Sequence, residues 1–452
     1  MKNNYINIYF RNVVFVLTGV LFLSVSAVAQ ENDATDQHSQ IQHQHNQQKN
    51  VDMPQKKHEK MQHKGSNMHH GGGHGKHGMV AKGSEKFPTT GYDETKTPRP
   101  IERPSPPKMM GDPLKGKELA YAKSKGHCLA CHIMGSDGDQ AGNVGPNLST
   151  YGKLGRDNAY TFQQIWDARA HNPKTIMPPL GTNEILTKHE VLHIVAFMNT
   201  LKSAVTAPKR AQLQERNYDV AGEDFTLADI YIEKGEALFR KPGKNGKSCA
   251  SCHSTTKSKG PNLKGIATTY PKYNSGLKRI TGLEQRINIC QKKYKHSEPY
   301  RLGSKESNVV TSYVKFLSRR MPVNVSTDGP AAVALEKGKA SFFKKAGQLN
   351  FSCADCHTSS AGKWLRGQPL SGIKPEGKFS YTASTWPKHF IAGHDLGLIS
   401  LRQRIRHCQV VTRTYPLKLH AQEYTDLELY LTTLANGKPM LAPTKSKFRG
   451  SD

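Results

Sequence analysis

The chain is 452 residues long, enough at roughly 150 residues per domain for about three small domains, which excludes a miniprotein dependent on staples. Apolar residues make up 36% and charged residues 22%, so packed cores occupy part of the chain and long polar stretches the rest. Lys and Arg number 65 against 36 Asp and Glu, a formal charge of +29; this draws anions, whether nucleic acid, an acidic protein or a small inorganic ion.

The N-terminus opens with sparse positive charge at Lys2 and Arg11, then an apolar run from Val13 to Ala29 ending Ala27-Val28-Ala29. It reads as a secretory signal over residues 1–29, cleaved before Gln30, with an uncleaved anchor helix as the alternative. Either form implies export to the periplasm and disfavours a nucleic-acid partner. Residues 30–111 are rich in Gln, His, Lys, Gly and Pro and carry nine of the 21 histidines between His38 and His77. Such a segment buries too little surface to fold and reads as a disordered tether. Its His69-His70-Gly-Gly-Gly-His74-Gly-Lys-His77 stretch can offer weak metal binding, and Pro98 to Pro107 stiffen the approach to the folded part.

The folded part divides into three. The first domain, 112–202, resumes helical character at Leu114–Lys125 and closes with a helix over Thr187–Leu201, where Val191, Ile194, Val195, Met198 and Leu201 recur at helical spacing after a Thr187 cap. A charged linker, 203–223, precedes a second domain, 224–325, and a third, 326–445. Helices are predicted over 227–239, 281–290, 307–319, 334–346, 398–408 and 422–434, with few strands. Glu233-Lys-Gly-Glu-Ala-Leu-Phe in the second domain matches Glu336-Lys-Gly-Lys-Ala-Ser-Phe in the third, which marks an internal duplication. The fold class is thus all-α: three small domains, the last two duplicated, behind a disordered His-rich segment.

Haem follows from the cysteines. Six of the eight form Cys128-Leu-Ala-Cys131-His132, Cys249-Ala-Ser-Cys252-His253 and Cys353-Ala-Asp-Cys356-His357. In this pattern two thiols bond the porphyrin and the adjacent imidazole takes an axial iron position. Three copies imply three covalent haem c groups; zinc sites and thioredoxin-like pairs are the competing readings. In the first domain Met177, 45 residues after His132 and followed by two prolines, is the sixth ligand. The second and third domains lack such a Met and each supply a leftover cysteine in a matching frame, Arg286-Ile-Asn-Ile-Cys290 and Arg404-Ile-Arg-His-Cys408. Cys290 and Cys408 therefore read as axial ligands, a Cys290–Cys408 disulfide being the alternative. Thiolate stabilises ferric iron, so these two haems should have lower potentials than the Met177-ligated one.

Arg404 and Arg286 lie four residues before their cysteines and share a helical face with them. Arg404 suits an anionic substrate or a haem-propionate contact, and Arg286 a structural role. His407 is a further candidate for the same anion contact, and Lys388, His389 and His394, in a stretch from Trp386 to His394 that reads as loop, are weaker candidates for lining the third pocket.

These residues resemble the SoxAX cytochromes of the sulfur-oxidising system, as a fusion of a SoxX-like monohaem part with a SoxA-like dihaem part over about residues 112–445. The likeness runs through Gly145-Pro146-Asn147-Leu148, Met177-Pro178-Pro179 and both Arg-Ile-x-x-Cys frames. It implies an L-cysteine S-thiosulfotransferase that couples thiosulfate oxidatively to a cysteine of the carrier SoxYZ and passes two electrons to cytochrome c. It further implies Cys408 as the reactive sulfur, opposite His357, with Arg404 as the substrate-binding arginine. A thiosulfate dehydrogenase forming tetrathionate and a plain multihaem electron carrier are the alternatives.

Overall fold

The computed structural model describes residues 99–135, 141–206, 229–253, 262–294, 297–373, 383–392 and 394–445. The signal, the His-rich stretch and most of the linker lie outside them. Helix α1 (Pro113–Tyr121) opens where Asp112 accepts the Leu114 and Lys115 N–H groups, with proline in the first turn. Helix α2 (Asn158–Trp166) follows. Helix α3 (Lys188–Thr200) starts on a capping box between Thr187 and Glu190 and buries Val191, Ile194, Val195 and Met198, the face its spacing predicts.

Residues 99–111, read from composition as the end of the tether, are laid against this first part. Arg99 donates to Glu184 at 2.9 Å and to the Thr182 carbonyl, and Trp166 Nε1 donates to Glu102 at 3.1 Å. The buried Asp167–Arg169 pair anchors the strap, because Arg169 also donates to the Arg99 carbonyl at 2.8 Å. Proline-rich composition describes a chain without helix, not one without partners.

The second part carries α4 (Asp229–Arg240), α5 (Cys249–His253), a short hairpin of β1 (Lys272–Asn274) and β2 (Arg279–Thr281), α6 (Leu283–Lys293) and α7 (Lys305–Phe316). The third carries α8 (Pro330–Phe343), the hairpin β3 (Trp364–Leu365) and β4 (Gln368–Pro369), the antiparallel pair β5 (Lys388–Ala392) and β6 (His394–Ile399), α9 (Leu401–Val411), α10 (Gln422–Thr433) and β7 (Thr444–Lys445), which pairs parallel with β5. The stretch from Trp386 to His394, expected as loop, is thus largely strand. Pro387, Gly397 and a bulge at Phe390/Ile391 break the alternation that would have announced it. Because β6 runs to Ile399, the helix expected from 398 begins at Leu401, on a Ser400–Gln403 capping box; the helix expected from 334 begins at Pro330, at a first-turn proline.

Each part is closed by the crossing of its first and last long helices: α1 on α3, α4 on α7, α8 on α10. A glycine sits at each crossing. A Cβ on Gly116, Gly235 or Gly338 would lie 1.9, 2.1 or 2.0 Å from the carbonyl oxygen of His193, Val309 or Asp426. Beside each glycine an aromatic pair packs edge-on or tilted, Tyr121 on Phe197, Phe239 on Tyr313 and Phe342 on Tyr430. Gly338→Ala should therefore destabilise the third part by about 2 kcal/mol or more in denaturant unfolding, since helix separation outweighs the ~1 kcal/mol of helix propensity gained.

The second and third parts meet in a reciprocal polar interface. Gln285 Oε1 accepts from its own Gly282 N–H at 2.9 Å and from Thr425 across the interface. Gln403 Oε1 accepts from its own Ser400 N–H at 2.9 Å and from Asn308 across it at 2.8 Å. At the centre Arg402, 2% exposed, donates to Glu428 at 2.8 Å, to Gln285 at 3.3 Å and to the Leu419 carbonyl. Glu284 and Lys315 complete a quartet of ionisable groups with Arg402 and Glu428. Burial pushes the Glu284 carboxyl up to about 7, with Glu428 raising it while Arg402, Lys315 and Ser400 oppose.

Between pH 4.5 and 7 the native state thus keeps a proton on Glu284 that the unfolded chain has lost. Stability should fall as pH rises through that window, by up to about 3 kcal/mol at ~1.4 kcal/mol per unit. Glu284→Gln should flatten this slope in melts taken from pH 5 to 8.

Candidate haem and active site

Each Cys-x-x-Cys-His segment lies on one tight turn of backbone, which brings both thiols and the imidazole to one side. In the second segment Ser248 and Ser251 cap each other reciprocally, backbone N–H to Oγ, at 3.0 and 3.1 Å. In the third, Ser352 and Asp355 do the same at 2.8 and 3.1 Å. The first segment has no serine there. His127 takes that position in the left-handed region, φ 44°.

His132 and His357 are held alike. His132 Nδ1 donates to the Pro146 carbonyl at 2.8 Å and His357 Nδ1 to the Ser371 carbonyl at 2.8 Å, each 14 residues further on. This fixes the tautomer and leaves Nε2 as the ligand atom. Burial holds both imidazoles below their ordinary pKa, so both are neutral donors; the carbonyl bonds oppose this, and Arg404 reinforces it at His357. Gly145 is part of the same device, because a Cβ there would stand 2.3 Å from the His132 ring. His253 is half-buried at the end of α5.

The thiols are equally suited to covalent attachment. All eight cysteines are free. Burial raises Cys128 and Cys249 to about 11 and Cys131, Cys353 and Cys356 to about 12, so they are neutral and face apolar surroundings. Cys128, Cys249 and Cys353 each pack against a separate hydrophobic cluster. Neutral thiols, a neutral imidazole with a free Nε2 and an apolar wall form the donor set that haem c requires. Met177 packs at the edge of the same cluster as Cys128, its sulfur accepting from Gln164 Nε2 at 3.7 Å. Met198 and Met134, 5% and 1% exposed, are core residues.

Each leftover cysteine lies near one attachment pair. Cys290, on α6, lies close enough to Cys249 to raise its pKa, and Cys408, on α9, does the same to Cys353 and Cys356. The two are thus distributed one to each segment. Arg404 is one turn before Cys408, and its charge reaches both His357 and His407. His407 lies on α9, where partial desolvation, then the Arg404 and Arg366 charges, hold its imidazole below the ordinary pKa. Arg286 faces Tyr270 in the second part. Lys388 is buried against the Trp386 ring, 5.2 Å from its centroid, which makes it structural. His389 and His394 lie on β5 and β6.

Sequence reasoning missed the relation between the first and third parts. The first docks on the third, although the second separates them in the chain. Asn183 and Gln348, both fully buried, exchange side-chain to carbonyl bonds at 2.7 and 3.0 Å. Arg413 bonds Gln348 and the Ser124 carbonyl, and Lys345 donates to the Thr175 carbonyl. Cys131 and Cys356 are near enough for one to raise the other's pKa.

Two families match the chain: the cytochrome c family over residues 114–202, and the SoxA/TsdA cytochrome c domain over residues 234–323. The L-cysteine S-thiosulfotransferase subunit SoxA of Pseudaminobacter salicylatoxidans is 32% identical over 237 residues, 52% of this chain and 77% of that protein. The subunit of the same name from Chlorobaculum tepidum is 32% identical over 227 residues, covering 50% and 73%. Among solved structures, SoxXA from P. pantotrophus is similar at 27% identity and a TM-score of 0.44, covering 51% of this chain and 80% of that one. With more than two thirds of a relative's length matched at this identity, the chain belongs to the SoxA family of c-type cytochromes.

Proposed function

We propose that this protein is an L-cysteine S-thiosulfotransferase that joins thiosulfate to a cysteine of a SoxYZ-type carrier, and that Cys408 with Arg404 forms its reactive site. The reading rests on one neighbourhood: a cysteine beside the Cys353–Cys356 pair, with an arginine one turn away whose charge reaches both His357 and His407. The relatives named above are subunits of that activity. The coupling converts a carrier thiol and thiosulfate into the S–S-linked adduct with release of one proton and two electrons. Arg404 offers the dianion a cationic contact, and Cys408 offers a sulfur able to accept or donate the sulfane atom.

Three haem c groups are proposed, held by Cys128, Cys131, His132 and Met177, by Cys249, Cys252, His253 and Cys290, and by Cys353, Cys356, His357 and Cys408. When bound they supply one-electron redox capacity, with the Met-ligated centre at the higher potential. The three glycine-bearing helix crossings support three haem domains, at 112–202, 224–325 and 326–445. The matching glycine motifs and reciprocal Gln285 and Gln403 contacts support a duplication of the last two. Docking of the first domain on the third, rather than on its chain neighbour, gives electrons from the Cys408 side a short way out to a cytochrome c acceptor. The apolar run Val13–Ala29 supports a periplasmic site of action.

The test is mass analysis of the carrier after incubation with the holoprotein, thiosulfate and ferric cytochrome c. A thiosulfonated carrier cysteine is expected. The SoxA/TsdA family description also spans a thiosulfate dehydrogenase reading; tetrathionate formed without carrier, and no adduct with it, would establish that reading instead.

A further inference from the structure

We propose that the β3–β4 hairpin is a clasp joining the first attachment segment to the third, and that Arg366 at its tip is the positioning residue of this junction. The inference rests on the haem-bearing reading above and adds to it the element that sets the separation of two haem sites.

Hydrogen bonds from the hairpin to the first part make the clasp. Asn143 N–H donates to the Trp364 carbonyl at 2.9 Å, and Trp364 N–H donates to Asn143 Oδ1 at 2.6 Å. Lys363 Nζ donates to the Val144 carbonyl at 3.3 Å. Arg366 N–H donates to the carbonyl of Ala130, which immediately precedes Cys131, at 3.0 Å. The fit leaves no slack, since a Cβ on Gly142 would lie 2.0 Å from the Ala130 oxygen and 2.8 Å from the Trp364 oxygen. The same short segment serves the third site: it begins after His357 and returns through Ser371, whose carbonyl orients the His357 ring. One run of chain therefore aligns its own axial histidine and grips the neighbouring attachment turn.

The choice of arginine at the tip is informative. Arg366 and Gly367 both have positive φ, 53° and 70°, the pairing of a tight hairpin turn that favours Asn-Gly. A long side chain is disfavoured there, and an outlier of this kind points to use of the side chain. Its Nε donates to His127 Nδ1 at 3.3 Å. His127 stands where the other two segments carry a capping serine, and burial, then Arg366 and Lys123, depress it to about 4, so it is neutral and can accept. Arg366 thus touches the first site from the tip of a hairpin that leaves and re-enters the third, between His357 and Ser371.

With haem held at both sites, the junction would carry single electrons from the third site to the first, and an external cytochrome c would take up each in turn, two for every coupling. A fixed separation matters because such transfer is steeply sensitive to distance.

The test uses the full-length holoprotein with Arg366→Gly, which suits the positive φ while deleting the guanidinium, and Arg366→Lys, which keeps a cation. Two readouts are taken: the distance distribution between the first and third ferric centres by pulsed dipolar spectroscopy, and their electron-exchange rate after photoreduction. Arg366→Gly is expected to broaden the distribution and slow exchange at least tenfold, with each ferric signature unchanged and Arg366→Lys partly restoring the rate. An Arg366→Gly rate within twofold of the parent would overturn the proposal. These readouts need neither carrier nor thiosulfate, so a parent that forms no carrier adduct would refute the assigned activity while leaving the clasp intact.

Discussion

Cys408→Met is expected to abolish adduct formation on the carrier, slowing it at least 100-fold, which at ~1.4 kcal/mol per decade is about 3 kcal/mol of lost transition-state stabilisation. A thioether carries no negative charge and cannot share a sulfane sulfur, so replacing the atom removes the chemistry rather than weakening it. The site should otherwise survive, because Cys408 is half-buried on α9 and its helix is anchored elsewhere, by the Ser400–Gln403 capping box and by Arg402. Ferric-state spectroscopy provides the internal control. The parent should show two thiolate-ligated low-spin signals, from the Cys290 and Cys408 sites, and the variant should lose only one. Cys290→Met should lose the other signal and leave adduct formation near the parent level. If Cys408→Met still thiosulfonated the carrier at an undiminished rate, the sulfur would have no part in the reaction, and an electron-carrier role would replace the transferase.

Arg402→Met should cost about 3–5 kcal/mol, the range for breaking a buried charged pair from one side. The guanidinium is 2% exposed and bonds Glu428, Gln285 and the Leu419 carbonyl together. Without it Glu428 and Glu284 remain with Lys315 as the only cation of the quartet. Methionine keeps most of the volume, so the loss reports electrostatics rather than a cavity. At 2–4 °C per kcal/mol for units of this size, the melting temperature should fall by roughly 10 °C. The exposed Arg240–Glu236 pair, one turn apart on α4, serves as the comparison: Arg240→Ala should leave the melt nearly unchanged, because solvent screens an exposed pair. A shift for Arg402→Met no larger than that of Arg240→Ala would show that the quartet does not hold the second and third parts together.

Residues acting over short spans of chain were legible from the sequence. Cys-x-x-Cys-His spacing, the Arg-Ile-x-x-Cys frames, the Thr187 cap, the apolar stripe of α3 and the glycine motifs at 235 and 338 all lie within one or two helical turns. Covalent reach and helical periodicity therefore dictate their geometry locally. Even so, the purpose of those glycines was not evident before the crossings showed a carbonyl about 2 Å from each missing Cβ.

The tertiary structure alone decided which parts touch. Nothing near Gln348 signals a partner 165 residues away, and nothing near Trp364 signals one 221 residues away. Arg402 looks like any helical arginine until two domains close over it. The strap at 99–111 and the β5–β6 pair were misread because proline, glycine and a bulge erase local periodicity, while the bonds that order them come from distant chain. Sequence determined the local geometry of each Cys-x-x-Cys-His segment through spacing; the fold decided how those segments are arranged, because long-range hydrogen bonds and buried charges acquire their energy only once solvent has been excluded by the complete molecule.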